Sequence, residues 1–489
     1  MGLSFARSGP TAFEKQFIRT EQLKYISTRG QAPELEFEDV LLAGLARDGG
    51  LYVPKEWPSF SPAEIEAMAG LSYDEVAFRV MAPFVGSSIP ETEFRALIQE
   101  AYAGFAHRAI APLVQADDDV WVLELFHGPT LAFKDFAMQI LGRVMDRALI
   151  GRGEKATILG ATSGDTGGAA IEAFRGREAI DIFILHPHGR VSDVQRRQMT
   201  TAREANVFNI ALEGTFDDCQ HLVKGLFNDL EFRDQYRVTG VNSINWARIM
   251  AQIVYYFTSA AALGAPARPV SYSVPTGNFG DVFAGFVAAK MGLPIEKLIV
   301  ATNVNDILVR TLDTGTYQPL GVQATYSPSM DIQVSSNFER LLFEMTGRDA
   351  GRITALMNDL SEKGAFQLSE NELTPMRALF YGERVDETET AARIKLEAGE
   401  NAYVIDPHSA IALEAGLRHK SSTSPMIALA TAHPAKFPDV VEKATGGSVD
   451  TPLRLSNQLH DEERVSRLSN DLSVVKDFIA AHTRAGPGA

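Results

Sequence analysis

The sequence predicts an α/β fold built on mainly parallel sheets, preceded by a largely helical segment. Three observations carry that prediction. From Trp121 onward, short apolar runs alternate with helical stretches. Glycine-rich turns recur where an apolar run gives way to a helix, as at 160–168 and 275–281. The first hundred residues show helical spacing instead. Alternating strands and helices are the pattern that βαβ units leave in a sequence.

Taken in order, residues 1–23 read as an extension outside the fold. Residues 37–45 place Val40, Leu41 and Leu45 on one helical face. Asp48-Gly49-Gly50 turns the chain into the short run 51–54. Residues 61–106 predict further helices, with Ser61 and Pro62 as a helix start. Strands are predicted at 121–126, 156–159, 181–185, 207–212, 270–274 and 298–301. Helices are predicted at 135–149, 167–174, 192–202, 216–230 and 281–290. The most apolar segment, 249–263, falls short of the ~20 residues a membrane span needs, so it predicts a buried helix. Residues 331–399 read as helical with charged faces, 427–430 as one more strand, and 485–489 as a disordered tail.

With 489 residues, the chain exceeds one core of ordinary size and predicts two or three domains. Its 46 Lys and Arg against 62 Asp and Glu give a net charge of −16. An acidic chain without a basic run disfavours nucleic acid and anionic membranes as partners. One cysteine, Cys219, excludes an internal disulfide and any multi-cysteine metal site. Asp217 and Asp218 beside it raise a thiol pKa, so Cys219 reads as inert. His186-Pro187-His188 lacks a third ligand and reads as a loop, so no metal is expected. A cytoplasmic location is the default where no signal segment is visible.

Four segments carry chemistry. In His127–Gln139, HGPTLAFKDFAMQ, the turn at Gly128-Pro129-Thr130 ends a strand and Lys134 follows among Leu131, Phe133 and Phe136. An apolar pocket favours the neutral amine, the form a Schiff-base nucleophile requires. On local sequence alone, a lysine snorkelling from a buried turn is the commoner case. Gly160–Gly168, GATSGDTGG, presents N–H groups and hydroxyls at a helix start, where a carboxylate or phosphate can bind. Pro275–Asp281, PTGNFGD, has the same strand–turn–helix form and suits a phosphate. Each of these two is also simply a tight turn. The fourth, Ala430–Phe437, places the Thr431 hydroxyl at a strand end, where it can face a heterocycle nitrogen.

Together these segments resemble one family. KYISTRG at 24–30, FEDVLLAGLARDGGLYVP at 37–54, HGPTLAFKDFAMQ, ATSGDTGGAA at 161–170, PTGNFGD and TAHPAKF are similar to fold-type II pyridoxal-phosphate enzymes, and within them to threonine synthases of the bacterial and fungal type. The resemblance spans about 24–465. It implies a tryptophan synthase β-like fold, with two α/β lobes and a helical N-terminal domain. The implied divisions are an extension at 1–23, a helical domain at 24–103, a catalytic domain at 104–465, and a C-terminal helix with a disordered tail at 466–489.

The resemblance also assigns roles. Lys134 is the lysine that bonds to pyridoxal 5′-phosphate. Gly277, Asn278, Phe279 and Asp281 form the phosphate loop, with Asp281 shaping the loop or capping the next helix. Thr431 faces the pyridine nitrogen. Ser163, Asp165 and Thr166 lie near the substrate's carboxylate. The implied reaction takes O-phospho-L-homoserine and water to L-threonine and phosphate, in a monomer or homodimer. Lys24, Arg29 and Lys436 are candidates for the substrate phosphate. A phospholyase releasing phosphate and 2-oxobutyrate, a dehydratase or β-replacement enzyme, a non-catalytic cofactor-binding protein and a nucleotide-binding module are the competing readings.

Overall fold

The computed structural model describes residues 22–162, 164–458 and 460–486. Ser163, most of the 1–23 extension and the last three residues of the expected tail lie outside the described residues.

The N-terminal segment begins with a short antiparallel pair, Tyr25–Ser27 against Tyr52–Pro54. Between them lies the helix Phe37–Ala43, with Val40 and Leu41 buried. Leu45 does not join that face: the helix ends at Gly44, and Leu45 stands exposed beyond it. Three helices follow, Pro62–Glu66, Tyr73–Val85 and Glu91–Tyr102. Ser61 starts the first with a reciprocal cap: its Oγ accepts from Glu64 N, and Glu64 Oε2 accepts from Ser61 N at 2.7 Å.

Two sheets follow. The larger has six strands in the spatial order Phe380–Arg384, Ile295–Thr302, Val270–Pro275, Met426–Ala430, Val120–Glu124 and Leu113–Asp117. All its pairs are parallel except the last, a hairpin. The smaller has five parallel strands in the order Ser466–Leu468, Val207–Leu212, Ile180–Pro187, Ala156–Ala161 and Val238–Thr239. The sequence locates most of these strands because fully buried parallel strands are unbroken apolar runs. Four edge strands escaped it, one of them the two-residue Val238–Thr239. Phe380–Arg384 lies inside a stretch expected to be helical, because it is half exposed and carries Gly382. Leu113–Asp117 and Ser466–Leu468 are likewise edges with little apolar signature. Ser466–Leu468 also builds the chain beyond 465 into the smaller sheet, ahead of the C-terminal helix Leu472–His482. His186, expected in a loop, sits in the central strand Ile180–Pro187 and is buried.

The apolar segment forms the helix Trp246–Ala262, buried along nearly its whole length. Among the described residues, no helix is long and apolar enough to cross a membrane. Its first residue, Trp246, anchors the N-terminal segment: its ring centroid lies 5.9 Å from Tyr25, 5.9 Å from Trp57 and 5.5 Å from Phe84. Removing such a buried indole costs about 3–5 kcal/mol.

The two lobes meet through helices. Lys134–Arg152, which follows the larger sheet's strand Val120–Glu124, packs against Asp165–Phe174 of the smaller lobe. Gly142 permits the approach, since a Cβ there meets the Ala173 carbonyl oxygen at 2.5 Å. Gly142→Val should therefore lose about 2 kcal/mol of stability, read as a lower urea midpoint at unchanged slope.

Candidate active site

Three adjacent parallel strands of the larger sheet each feed one of the motif loops at their carboxyl ends, where open α/β sheets bind ligands. Val120–Glu124 leads to the Lys134 loop, Met426–Ala430 to the Thr431 loop, and Val270–Pro275 to the Gly277 loop. The first two are stitched together: Phe133 N donates to Thr431 O at 2.8 Å, and His433 N donates to Leu131 O at 3.0 Å. The smaller sheet's strand Ala156–Ala161 supplies the fourth loop and Asp165.

Lys134 opens the helix Lys134–Arg152, and its side chain is 11% exposed. Nζ lies 3.5 Å from Ser329 Oγ, 3.9 Å from Asp165 Oδ2 and 5.1 Å from the Phe133 ring centroid. Burial pushes this amine down to about 8; Asp165 acts upward against that, while Lys436 and Arg248 add to the fall. The turn that carries Lys134 is fixed by Asp135, which accepts from Thr130 N at 2.7 Å and from Thr130 Oγ1 at 2.8 Å. Burial pushes the Asp135 carboxyl up to about 6. Leu131, in the same turn, takes the left-handed conformation with φ 61°.

Asp165 is buried between two lysines. Its Oδ1 accepts from Lys436 Nζ at 2.8 Å and from Gln195 Nε2 at 3.0 Å. Burial alone raises its pKa, but Lys436, Lys134 and the hydrogen bonds outweigh that and hold it well below the usual carboxylate range. Thr166, beside it, is half-buried.

The Gly277 loop has the form of an anion cradle. Phe279 holds the left-handed conformation, with φ 61°. A non-glycine residue there costs about 1–3 kcal/mol and persists only where its surroundings fix it; Phe279 is wedged against Phe338 and Phe380. Among the described residues, the N–H groups of Gly277, Asn278, Phe279 and Gly280 meet no protein acceptor. A Cβ on Gly277 would meet Ser329 O at 2.5 Å, so the loop lies flush against residue 329. Ser329 thus touches both Lys134 and the cradle. Ser335 Oγ donates to Gly277 O at 2.7 Å, and Asn337 N to Asn278 O at 3.0 Å, which brace the loop from outside. Asp281 does not cap the helix. Its Oδ1 accepts from Tyr255 OH at 2.5 Å and Tyr256 OH at 2.9 Å, tying Gly280–Lys290 to Trp246–Ala262. Burial pushes its carboxyl up to about 6.

The basic candidates sort differently from expectation. Lys24 pairs with Glu36 at 2.5 Å, Arg29 with Glu339 at 3.0 Å, and Lys436 is committed to Asp165 and to Thr130 O at 2.8 Å. None of the three is a free cation at the pocket. Arg248 is the residue the sequence reading missed. It is buried on Trp246–Ala262, its Nη1 donates to Val241 O at 3.2 Å, and its Nε has no partner. Burial lowers its pKa to about 10. The signal was present: Arg248 is the only charged residue between Trp246 and Leu263. Cys219 is buried, and burial pushes its thiol up to about 11, far from a nucleophile.

The family model described as Threonine synthase N terminus matches residues 24–102, the one described as Pyridoxal-phosphate dependent enzyme matches 106–372, and the one described as Threonine synthase, C-terminal matches 409–479. Threonine synthase of Pseudomonas aeruginosa is 53% identical over 466 residues, covering 95% of this chain and 99% of that one. The chain belongs to the threonine synthase family. Among solved structures, the pyridoxal-phosphate-bound threonine synthase from Brucella melitensis is 58% identical with a TM-score of 0.94, covering 95% of this chain and 100% of that chain. The yeast threonine synthase is 39% identical with a TM-score of 0.89, covering 93% and 98%.

The chain is accordingly a fold-type II, pyridoxal-phosphate-dependent enzyme. Its residues fit that cofactor: a buried amine with a lowered pKa stands where an aldehyde needs a nucleophile, and a cradle of unpaired N–H groups stands where a phosphate needs donors. Only the unprotonated amine adds to an aldehyde. Adduct formation by the cofactor-free chain should therefore rise about tenfold per pH unit from pH 6 and level off near 8, followed by visible absorbance after mixing with pyridoxal phosphate.

Proposed function

We propose that this site converts O-phospho-L-homoserine and water to L-threonine and phosphate. The observation that carries the proposal is a buried arginine, partly unpartnered, near the amine. The N–H cradle at 277–280 serves the cofactor's phosphate, yet Arg248 remains a buried cation with an unpartnered Nε, close enough for Lys134 to feel its charge. A substrate that brings its own phosphate accounts for that cation; a plain hydroxy amino acid does not. Arginine presents a fork of donors that suits phosphate.

When bound, the cofactor spreads the negative charge that develops at the substrate's Cα. The chain's residues do the rest. Lys134 Nζ takes the Cα proton and then one from Cβ as the phosphate leaves Cγ with the C–O bonding electrons; protons return to Cγ and Cα as water adds its hydroxyl at Cβ. A positioned base of this kind contributes ~10²–10⁴-fold. Arg248 holds the departing phosphate. Thr166 and the N–H groups at the start of Asp165–Phe174, with Ser163 in the same loop, bind the α-carboxylate, since a helix N-terminus favours an anion. Thr431, at the end of Met426–Ala430, offers the pyridine nitrogen a neutral hydroxyl. Lys134 is thus the catalytic residue. Gly277, Asn278, Phe279 and Asp281 build the phosphate loop. Residues 24–103 form one domain and 104–465 the catalytic one, in a cytoplasmic enzyme acting as a monomer or homodimer.

Three experiments test this reading. Incubation with O-phospho-L-homoserine should release phosphate and threonine in equal amounts; phosphate with 2-oxobutyrate and no threonine would select a phospholyase. Lys134→Ala should abolish both turnover and the borohydride-trapped cofactor adduct. Arg248→Met should leave that adduct intact while lowering kcat/KM for the phosphorylated substrate by at least about tenfold, the loss expected for one charged hydrogen bond.

A further inference from the structure

The two lysines around Asp165 have different contacts. Lys436 is fully enclosed, and its Nζ donates to Asp165 Oδ1 at 2.8 Å and to Thr130 O at 2.8 Å. Lys134 Nζ reaches the other carboxylate oxygen only at 3.9 Å, and its nearest hydroxyl, Ser329 Oγ, at 3.5 Å. Four charged groups face Lys134. They are Asp165 from Asp165–Phe174, Lys436 from the turn after Met426–Ala430, Arg248 from Trp246–Ala262, and Asp135 from its own helix. Asp135 is spent on Thr130. Two ammonium groups and a guanidinium around the one remaining carboxylate would bury excess positive charge, and an uncompensated buried ion is strongly disfavoured. The amine with the weaker contacts is the one whose pKa falls, to about 8.

We propose that Lys436 is a positioning residue: by engaging Asp165 from behind, it leaves Lys134 as the pocket's one amine without a committed counter-ion. Lys436 touches no reacting atom. The Pro434–Lys436 turn and the Thr130 carbonyl seat it, and it acts through the carboxylate it holds. With Lys436 absent, Asp165 is free to pair with Lys134 and keep it protonated. The inference rests on Lys134 being the reactive amine.

The test is competitive labelling of Lys134 with acetic anhydride across pH 6–11, in the full-length cofactor-free chain, read by peptide mass analysis. The Lys134 midpoint should lie near 8 in the unchanged chain. It should rise by about one unit or more in Lys436→Met and Lys436→Gln, because a like charge is removed and Asp165 is left with Lys134 as its one ammonium partner. It should stay within a few tenths of a unit in Lys436→Arg, and return toward the starting value in Lys436→Gln/Asp165→Asn. Should the methionine variant fail to fold, the glutamine variant, which keeps a donor for Thr130 O, carries the comparison. If neither folds, Asp165→Asn alone must lower the midpoint. An unmoved midpoint in a folded neutral variant, or a double variant that stays shifted, would overturn the proposal. Labelling needs no cofactor, so failure of the cofactor reading in the borohydride experiment is a separate result.

Discussion

A single buried carboxylate, Asp165, is the point on which the site depends. It comes from the smaller lobe, and both lysines it faces come from segments that follow strands of the larger sheet. An ion cannot be buried without partners, so this one charge ties the lobes into register. The supporting contacts bear on the same point. The close passage at Gly142 sets the distance between the helices that carry Lys134 and Asp165. Asp135 and Thr130 fix the turn that aims Lys134, and the Thr130 carbonyl in turn receives Lys436. The pocket's chemistry and its architecture therefore rest on one charge balance.

Two of the six non-glycine residues that take the left-handed conformation among the described residues lie at the site. Leu131 and Phe279 both adopt the left-handed conformation, one in the lysine loop and one in the anion cradle. Ordinary side chains avoid that region, and sheets and aromatic packing on either side enforce it. Ser329 lies against both loops, beside the Lys134 amine and flush with Gly277.

Much of this was legible in the sequence, for a definite reason. Buried parallel strands are unbroken apolar runs, so the central strands at 156–161, 180–187, 207–212, 270–275 and 426–430 announced themselves. The loops after them carry chemistry in their residue types. Edge strands such as Phe380–Arg384, half exposed and interrupted by glycine, leave no such trace. Partnership across the fold was also hidden. Lys436 looked like a phosphate ligand because nothing local shows that it reaches Thr130, 306 residues away, and Asp165 beyond it. Arg248 was visible as a lone charge in an apolar helix, but its lack of a partner is a property of three dimensions alone.

The placement of Met426–Ala430 has a consequence for how the molecule is made. It lies between Val120–Glu124 and Val270–Pro275, strands synthesised far earlier. Until it emerges from the ribosome, each of those two presents an open edge, the kind of surface that invites wrong pairing. Four of the five strands of the smaller sheet lie within 156–239 and can assemble while translation continues. The larger sheet, and with it the pocket, is therefore completed late, and a nascent chain gains the ability to capture its cofactor only once its central seam has closed.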